Sequence, residues 1–250
     1  MEKKSCDNYD YRESHKGKGE AYHSFFYDNP YRRMVWELEK NILRDILNKI
    51  YLNKKIKHLD FACGTGRILH FLSNLTETST GVDVSPNMLE VARKNNKTAE
   101  IIEADLTRSD VLGERKFNLI TAFRFFPNAQ SELRNEAMQV ITKHITVNGY
   151  IVFNNHMHSG SLRYRLAKLI GRAKSDGMSS TEVNALIKGH NLETVSIYHL
   201  CVTPLSEGRM YVPRVILQPV EKLFARIPSF QNLAQNLIYV CKKRRPQEII

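Results

Sequence analysis

From residue 56 to residue 154 the chain keeps one rhythm, and that rhythm limits the folds open to it more than any other feature. Short apolar runs at Ile56–Ala62, Thr80–Val84, Ala99–Glu103, Phe117–Phe123 and Tyr150–Asn154 alternate with helical patterns. Parallel strands covered on both faces read as near-continuous apolar runs, and each needs a long crossover, usually a helix, to reach the next. The alternation therefore predicts an α/β protein with a mostly parallel sheet and helices on both faces. The connecting helices have their own signals. Ser85-Pro86 is a strong helix start, with Ser at the N-cap and Pro at the first helical position. Leu133, Ala137, Val140 and Ile141 put one apolar face on a helix over Glu132–His144, and Asn148-Gly149 reads as the turn after it.

Outside this core the pattern is looser. Val35, Leu38, Ile42, Ile46 and Ile50 form a helical stripe after Pro30, with Glu39, Lys40, Arg44 and Asp45 on its other faces. Helices are expected over Ser161–Ile170 and Ser180–Lys188, and strands over Thr194–Val202 and Leu237–Cys241. Thr203–Gln235, broken by Pro204, Pro213, Pro219 and Pro228, reads as an irregular insertion between the last two strands. The expected organisation is one domain over 1–250: an N-terminal lid and helix (1–50), a core (56–156), acceptor-side helices and insertion (157–235) and a last strand (236–242).

Composition excludes several classes. Hydrophobic residues make up 42% and charged residues 25%, which is too apolar for a disordered chain. No apolar run approaches the roughly 18 residues of a membrane span. The N-terminus has no apolar stretch after its lysines, and Cys6, Cys63, Cys201 and Cys241 form no CxxC pair, so a cytoplasmic protein without a metal site is expected. The net charge of +11 is uneven: residues 157–250 hold 14 basic against 6 acidic side chains. Such an excess suits nucleic acid, an anionic lipid surface or an anionic substrate.

The chemistry concentrates at strand ends. Leu59-Asp60-Phe61-Ala62-Cys63-Gly64-Thr65-Gly66 joins the first strand to its helix, with small residues where a backbone must approach a ligand. A pyrophosphate loop needs a third glycine at position 69, which here is Leu69, and an acidic neighbour disfavours a diphosphate. The loop thus favours a zwitterionic or cationic ligand. Asp83, in Gly81-Val82-Asp83-Val84-Ser85, ends the second strand where a carboxylate reaches a ribose diol. Asp105, after the third strand, suits an adenine amino group, with Met88 or Leu106 over the ring face.

These three motifs, in this order, resemble class I S-adenosylmethionine-dependent methyltransferases over roughly residues 31–202 and the final strand. The resemblance implies a Rossmann-like seven-stranded sheet whose last strand runs antiparallel, and S-adenosyl-L-methionine as cofactor. It implies cofactor contacts from Asp60, Ala62, Gly64, Gly66, Asp83, Val84, Met88, Asp105 and Leu106. Ala62 stands where many members have glycine.

The acceptor side is less marked. Thr121–Asn128 lacks the Asp/Asn-Pro-Pro-aromatic signature of nucleobase amine methylation, which argues against a DNA target. Arg124 suits an acidic acceptor, and His156, after the fifth strand, is the candidate general base. The aromatics of Tyr22–Tyr31 are the candidate lid. The expectation is O- or N-methylation of a small, preferably anionic acceptor such as a sugar, a nucleotide-linked sugar or a natural-product intermediate. An RNA or protein methyltransferase, and a catalytically silent cofactor-binding partner protein, are the alternatives.

Overall fold

The computed structural model describes residues 11–13, 19–51, 55–172, 177–204 and 212–244. Helices α1 (Gly19–Asp28) and α2 (Pro30–Ile50) precede an alternating core. That core runs β1 (Lys57–Phe61), α3 (Arg67–Ser73), β2 (Thr78–Asp83), α4 (Pro86–Asn95), β3 (Glu100–Glu103), β4 (Phe117–Ala122), α5 (Ser131–His144) and β5 (Ile145–Asn155). Then come α6 (Leu162–Leu169), α7 (Ser180–Gly189), β6 (Leu192–Leu200), α8 (Arg214–Phe224) and β7 (Asn236–Lys243). The strands form one seven-stranded sheet in the order β3-β2-β1-β4-β5-β7-β6. β7 pairs antiparallel with both β5 and β6, and the pairings among β1–β5 are all parallel. The sheet matches the expectation, antiparallel last strand included.

Neighbouring residues on the central strands serve opposite faces. Ile151 and Phe153 of β5, with Tyr239 of β7, join one apolar cluster with Met138 and Ile141 of α5 and Val183 of α7. Val152, Ile238 and Val240 join the other, with Met34, Leu38 and Ile46 of α2 and Leu217 of α8. This is the period-two alternation of a strand buried on both sides. Helix starts follow local chemistry. Asn29 caps α2 by accepting from Arg32 N at 3.0 Å ahead of Pro30, and Ser179 and Glu182 form a reciprocal capping box on α7.

Four expectations change. Asn148-Gly149 does not end an element: β5 runs unbroken through it, and the pairing jumps from Phe117↔Ile145 to Leu119↔Tyr150, so the turn residues sit in a bulge. Gly149 is required there, because a Cβ would stand 2.8 Å from the Asn118 carbonyl oxygen. The insertion is not wholly irregular, since α8 spans Arg214–Phe224 with Pro219 inside it. The polar N-terminal region holds α1, starting at Gly19, whose Cβ would meet the Asn87 carbonyl oxygen at 2.0 Å, so α1 lies directly on the start of α4. Glu39, expected on an outer face of α2, is fully buried. Residues 1–10 and 14–18 of the expected lid, 205–211 of the insertion and Arg245 of the basic tail lie outside the described residues.

Candidate functional site

A cavity opens at the carboxyl ends of β1, β2 and β4, where ligands bind in open α/β sheets. Asp60, Ala62, Gly64, Asp83, Val84, Met88, Asp105 and Leu106 all line it. Gly66 does not. It stands behind the wall at the start of α3 with φ +74°, and a Cβ there would lie 2.5 Å from Asn96 Nδ2 and 3.0 Å from Ala92 Cβ. Its role is to let α3 and α4 pack closely. Ala62 (φ +54°) and Arg124 (φ +61°), each just past a strand end, also hold left-handed backbone that costs a non-glycine residue roughly 1–2 kcal/mol. Such strain concentrates at functional sites.

The carboxylates are held in different ways. Asp83 Oδ2 accepts from Gly64 N at 2.8 Å and Oδ1 from Ser85 N at 2.9 Å, so the second motif braces the first. Burial raises its pKa in spite of these bonds. An ionised carboxylate has about four acceptor sites, so with the amides of Gly64, Ser85 and Val84 on it Asp83 keeps room for about one more donor. Asp60 is buried, accepting from Thr121 Oγ1 at 2.7 Å and Leu69 N at 3.1 Å. Burial pushes it up to about 7, opposed by the Thr121 bond, the Arg67 charge and the Leu69 amide. Behind it, His58 bridges Thr121 Oγ1 (2.8 Å) and Ser79 Oγ (3.0 Å), and burial lowers its pKa to about 3, so it is a neutral spacer.

Asp105 is already engaged by protein. Thr107 N and Oγ1 donate to its Oδ1 at 2.9 and 2.6 Å, and Arg12 Nε donates to Oδ2 at 2.7 Å. Burial alone raises its pKa, but the bonds from Thr107 and Arg12 outweigh that and hold it below the ordinary aspartate value. Arg12 also reaches Glu136 at 2.7 Å, and Tyr11, Arg12 and Tyr22 of α1 line the cavity.

Phe123, Arg124 and Arg67 also line the cavity. A buried polar chain fixes them. Arg67 Nη1 bonds Glu39 Oε2 at 2.8 Å, Asn236 Nδ2 bonds Glu39 Oε1 at 3.0 Å, Asn154 Nδ2 bonds Asn236 Oδ1 at 3.1 Å, and Arg124 N bonds Asn154 Oδ1 at 2.6 Å. The guanidinium groups of Arg67, Arg124 and Arg32 lie 4.4, 5.5 and 5.8 Å from the Phe26 ring centre. His156 sits behind this group, not among the cavity's lining residues. Its pKa is driven well below the usual histidine value, first by burial and then by the charges of Arg124, Arg32 and Arg67, and its Nδ1 is buried with no hydrogen-bond partner among the described residues. The ring is thus neutral at pH 7 and, in this field, a weak base. Sequence reasoning missed Arg12, Arg67, Glu39, Asn154 and Asn236. Arg67, adjoining the first motif, was the one with a visible signal.

Residues 59–149 match a methyltransferase-domain family. That stretch runs from the first motif through the bulge of β5. Over these residues the chain is similar to a methyltransferase domain. Among curated proteins, it is 30% identical over 141 residues to dTDP-3-amino-3,6-dideoxy-alpha-D-glucopyranose N,N-dimethyltransferase of Streptomyces fradiae, covering 55% of this chain and 48% of that relative. The match thus spans about half the length of that relative. It is 25% identical over 220 residues to malonyl-[acyl-carrier protein] O-methyltransferase of Bacillus anthracis, covering 82% of this chain and 78% of that one. The fold is shared with an S-adenosylmethionine-dependent methyltransferase from Clostridium acetobutylicum (TM-score 0.60, 14% identity, 90% of this chain and 99% of that one). It is shared also with one from Archaeoglobus fulgidus (TM-score 0.58, 17% identity, 83% and 94%). The matched stretch contains every candidate cofactor residue, and α6–α8 lie outside it.

Proposed function

We propose that the protein transfers a methyl group from S-adenosyl-L-methionine to a small anionic acceptor. One observation carries the reading: a single cavity is lined both by Asp60, Gly64, Asp83 and Asp105 and by the arginines Arg67 and Arg124. The residues present fit the cofactor. Asp83 offers an acceptor site for a ribose hydroxyl, Met88 and Leu106 give the adenine two apolar surfaces, and Asp60 places a carboxylate near a cationic amino acid. The bound cofactor supplies an activated methyl, so the protein's part is to position the acceptor and manage its proton. Arg12 holds the N-terminal segment across Asp105, which makes that segment the lid.

The acceptor side has a three-arginine group around Phe26 and His156. An acceptor carrying a carboxylate or phosphate is drawn there, and its charge offsets the field that depresses His156. That charge relieves the smaller, arginine part of what depresses His156, burial being the larger, and His156 serves as base for an acceptor hydroxyl or ammonium that reaches past Arg124 to it. The sugar and acyl-carrier substrates in the relatives' names are consistent with a small acceptor and do not choose between O- and N-methylation.

The test is methyl transfer from labelled S-adenosylmethionine to a panel of small acceptors, each paired with its uncharged ester or amide. Label on carboxylate- or phosphate-bearing members, lost in Arg124→Gln, supports the reading. Label on neutral acceptors alone, or on RNA alone, contradicts it.

A further inference from the structure

The basic excess of residues 157–250 is not used by the cofactor site, and much of it gathers on α6 and α8. On α8, positions 215, 216, 219 and 223 fall within about 100° of one another at 100° per residue. They hold Val215, Ile216, Pro219 and Leu223, all exposed, Val215 at 78%. The opposite face carries Leu217 and Glu221 into the protein. Glu221 is spent inside, accepting from Val202 N and Thr203 N at 2.9 Å each. This helix departs from an ordinary surface helix: its acid is buried beside Leu217, and four apolar residues face outward among cations.

α6 repeats the arrangement. Leu166, Leu169 and Ile170, spaced i, i+3, i+4, are exposed, Leu169 at 82%, and the helix buries no residue. Arg165, Lys168 and Arg172 are exposed beside these aliphatics, as Arg214, Lys222 and Arg226 are on and after α8. Residues 162–172 contain no acidic side chain, and the acid of 212–227 is the buried Glu221. The two helices share a neighbourhood: Glu221 of α8 accepts from Val202 N, and the preceding Cys201 carbonyl accepts from the backbone of Gln235, the partner of Arg163 on α6. The Arg163–Gln235 bond is 2.9 Å long, and Phe230, in the short helix Pro228–Leu233 between α8 and β7, packs on Phe224 of α8 at 4.8 Å between ring centres.

We propose that α6 and α8 form a docking surface for an anionic lipid bilayer. Exposed aliphatics along a helix, flanked by cations with no exposed acid among the described residues of 162–172 and 212–227, suit a phase that takes apolar side chains at any position and presents negative headgroups at its edge. A second copy of this chain fits poorly, because a two-fold contact sets the same cations against each other. Among the described residues no helix is long and apolar enough to cross a membrane, so the contact lies along the surface.

The experiment is co-sedimentation of the full chain with vesicles of phosphatidylcholine alone and with vesicles containing phosphatidylglycerol. The expected result is binding to the anionic vesicles only, weakening as salt rises. Leu169→Asp and Val215→Asp, both at exposed positions, should each lower partitioning about tenfold or more with an unchanged melting temperature. Lys222→Gln should lower it about fivefold. Four results would overturn the proposal: no preference for anionic vesicles, aspartate variants that bind like the parent, or, in place of vesicle binding and abolished by those same aspartates, a concentration-dependent dimer or a complex with an acidic protein.

Discussion

Asp60 and His156 show how burial sets the chemistry of single residues. The raised Asp60 carboxyl, near 7, is partly protonated at neutral pH, and a bound cationic ligand favours its ionised form. Affinity for S-adenosylmethionine should therefore rise from pH 6 to pH 8, and Asp60→Asn should flatten that rise; titration calorimetry at both pH values checks it. The sign for stability is opposite. The folded pKa lies above the unfolded value near 4, so ionising Asp60 costs folding free energy, and its contribution to stability falls as pH climbs from about 4 to 7. For His156 the prediction concerns rate. His156→Ala should lower kcat at pH 7 by about 100-fold or more, within the usual range for a general base, and leave cofactor affinity unchanged. Full activity in that variant would remove His156 from the mechanism. The aspartates at the strand ends were legible in the sequence because their type and their place beside a strand end both carry meaning. The environment of His156 was not, since Arg32, Arg67 and Arg124 reach it from three different elements.

At the scale of the element, α2 does more than pack. Its Glu39 is 0% exposed and ties Arg67 of α3 to Asn236 of β7, while Asn154 of β5 continues the chain to the Arg124 backbone. Removing one partner of a buried ion pair costs roughly 3–5 kcal/mol. Glu39→Gln, which keeps a hydrogen-bonding oxygen but not the charge, should cost about 3 kcal/mol. In a chain of this size that lowers Tm by roughly 6–12 °C, and differential scanning calorimetry measures it. A spacing rule cannot find such a residue: Glu39 sits among Lys40, Arg44 and Asp45 in the polar part of the pattern, and only its tertiary partners make burial tolerable. The same limit hid α8, whose two prolines at 213 and 219 read as loop punctuation although Pro213 precedes the helix and Pro219 lies on its exposed face. The lid is also an element-scale feature. Arg12→Ala breaks the contact with Asp105 and should raise the accessibility of the cavity, seen as faster cofactor association in stopped flow.

Across the whole molecule, the alternation of apolar runs and helices was enough to predict the sheet, because each strand's composition reports burial on both faces and each helix its crossover. What it could not locate was the bulge at Asn148-Gly149, which obeys turn chemistry locally but is bridged by pairing with β4. Charge divides along the same lines as structure. The cofactor side, within residues 59–149, is nearly balanced, and the acceptor side and its outer face carry the excess. The central claim is that the cavity holds S-adenosylmethionine by way of Asp83. Isothermal titration of the protein and of Asp83→Ala with S-adenosylmethionine and its demethylated product tests it most directly. The account predicts binding of both ligands by the parent and at least tenfold weaker binding by the variant, the loss expected when hydrogen bonds to a charged group, about 1.5–3 kcal/mol each, disappear. No binding by the parent at millimolar ligand, or equal affinity in the variant, would contradict it.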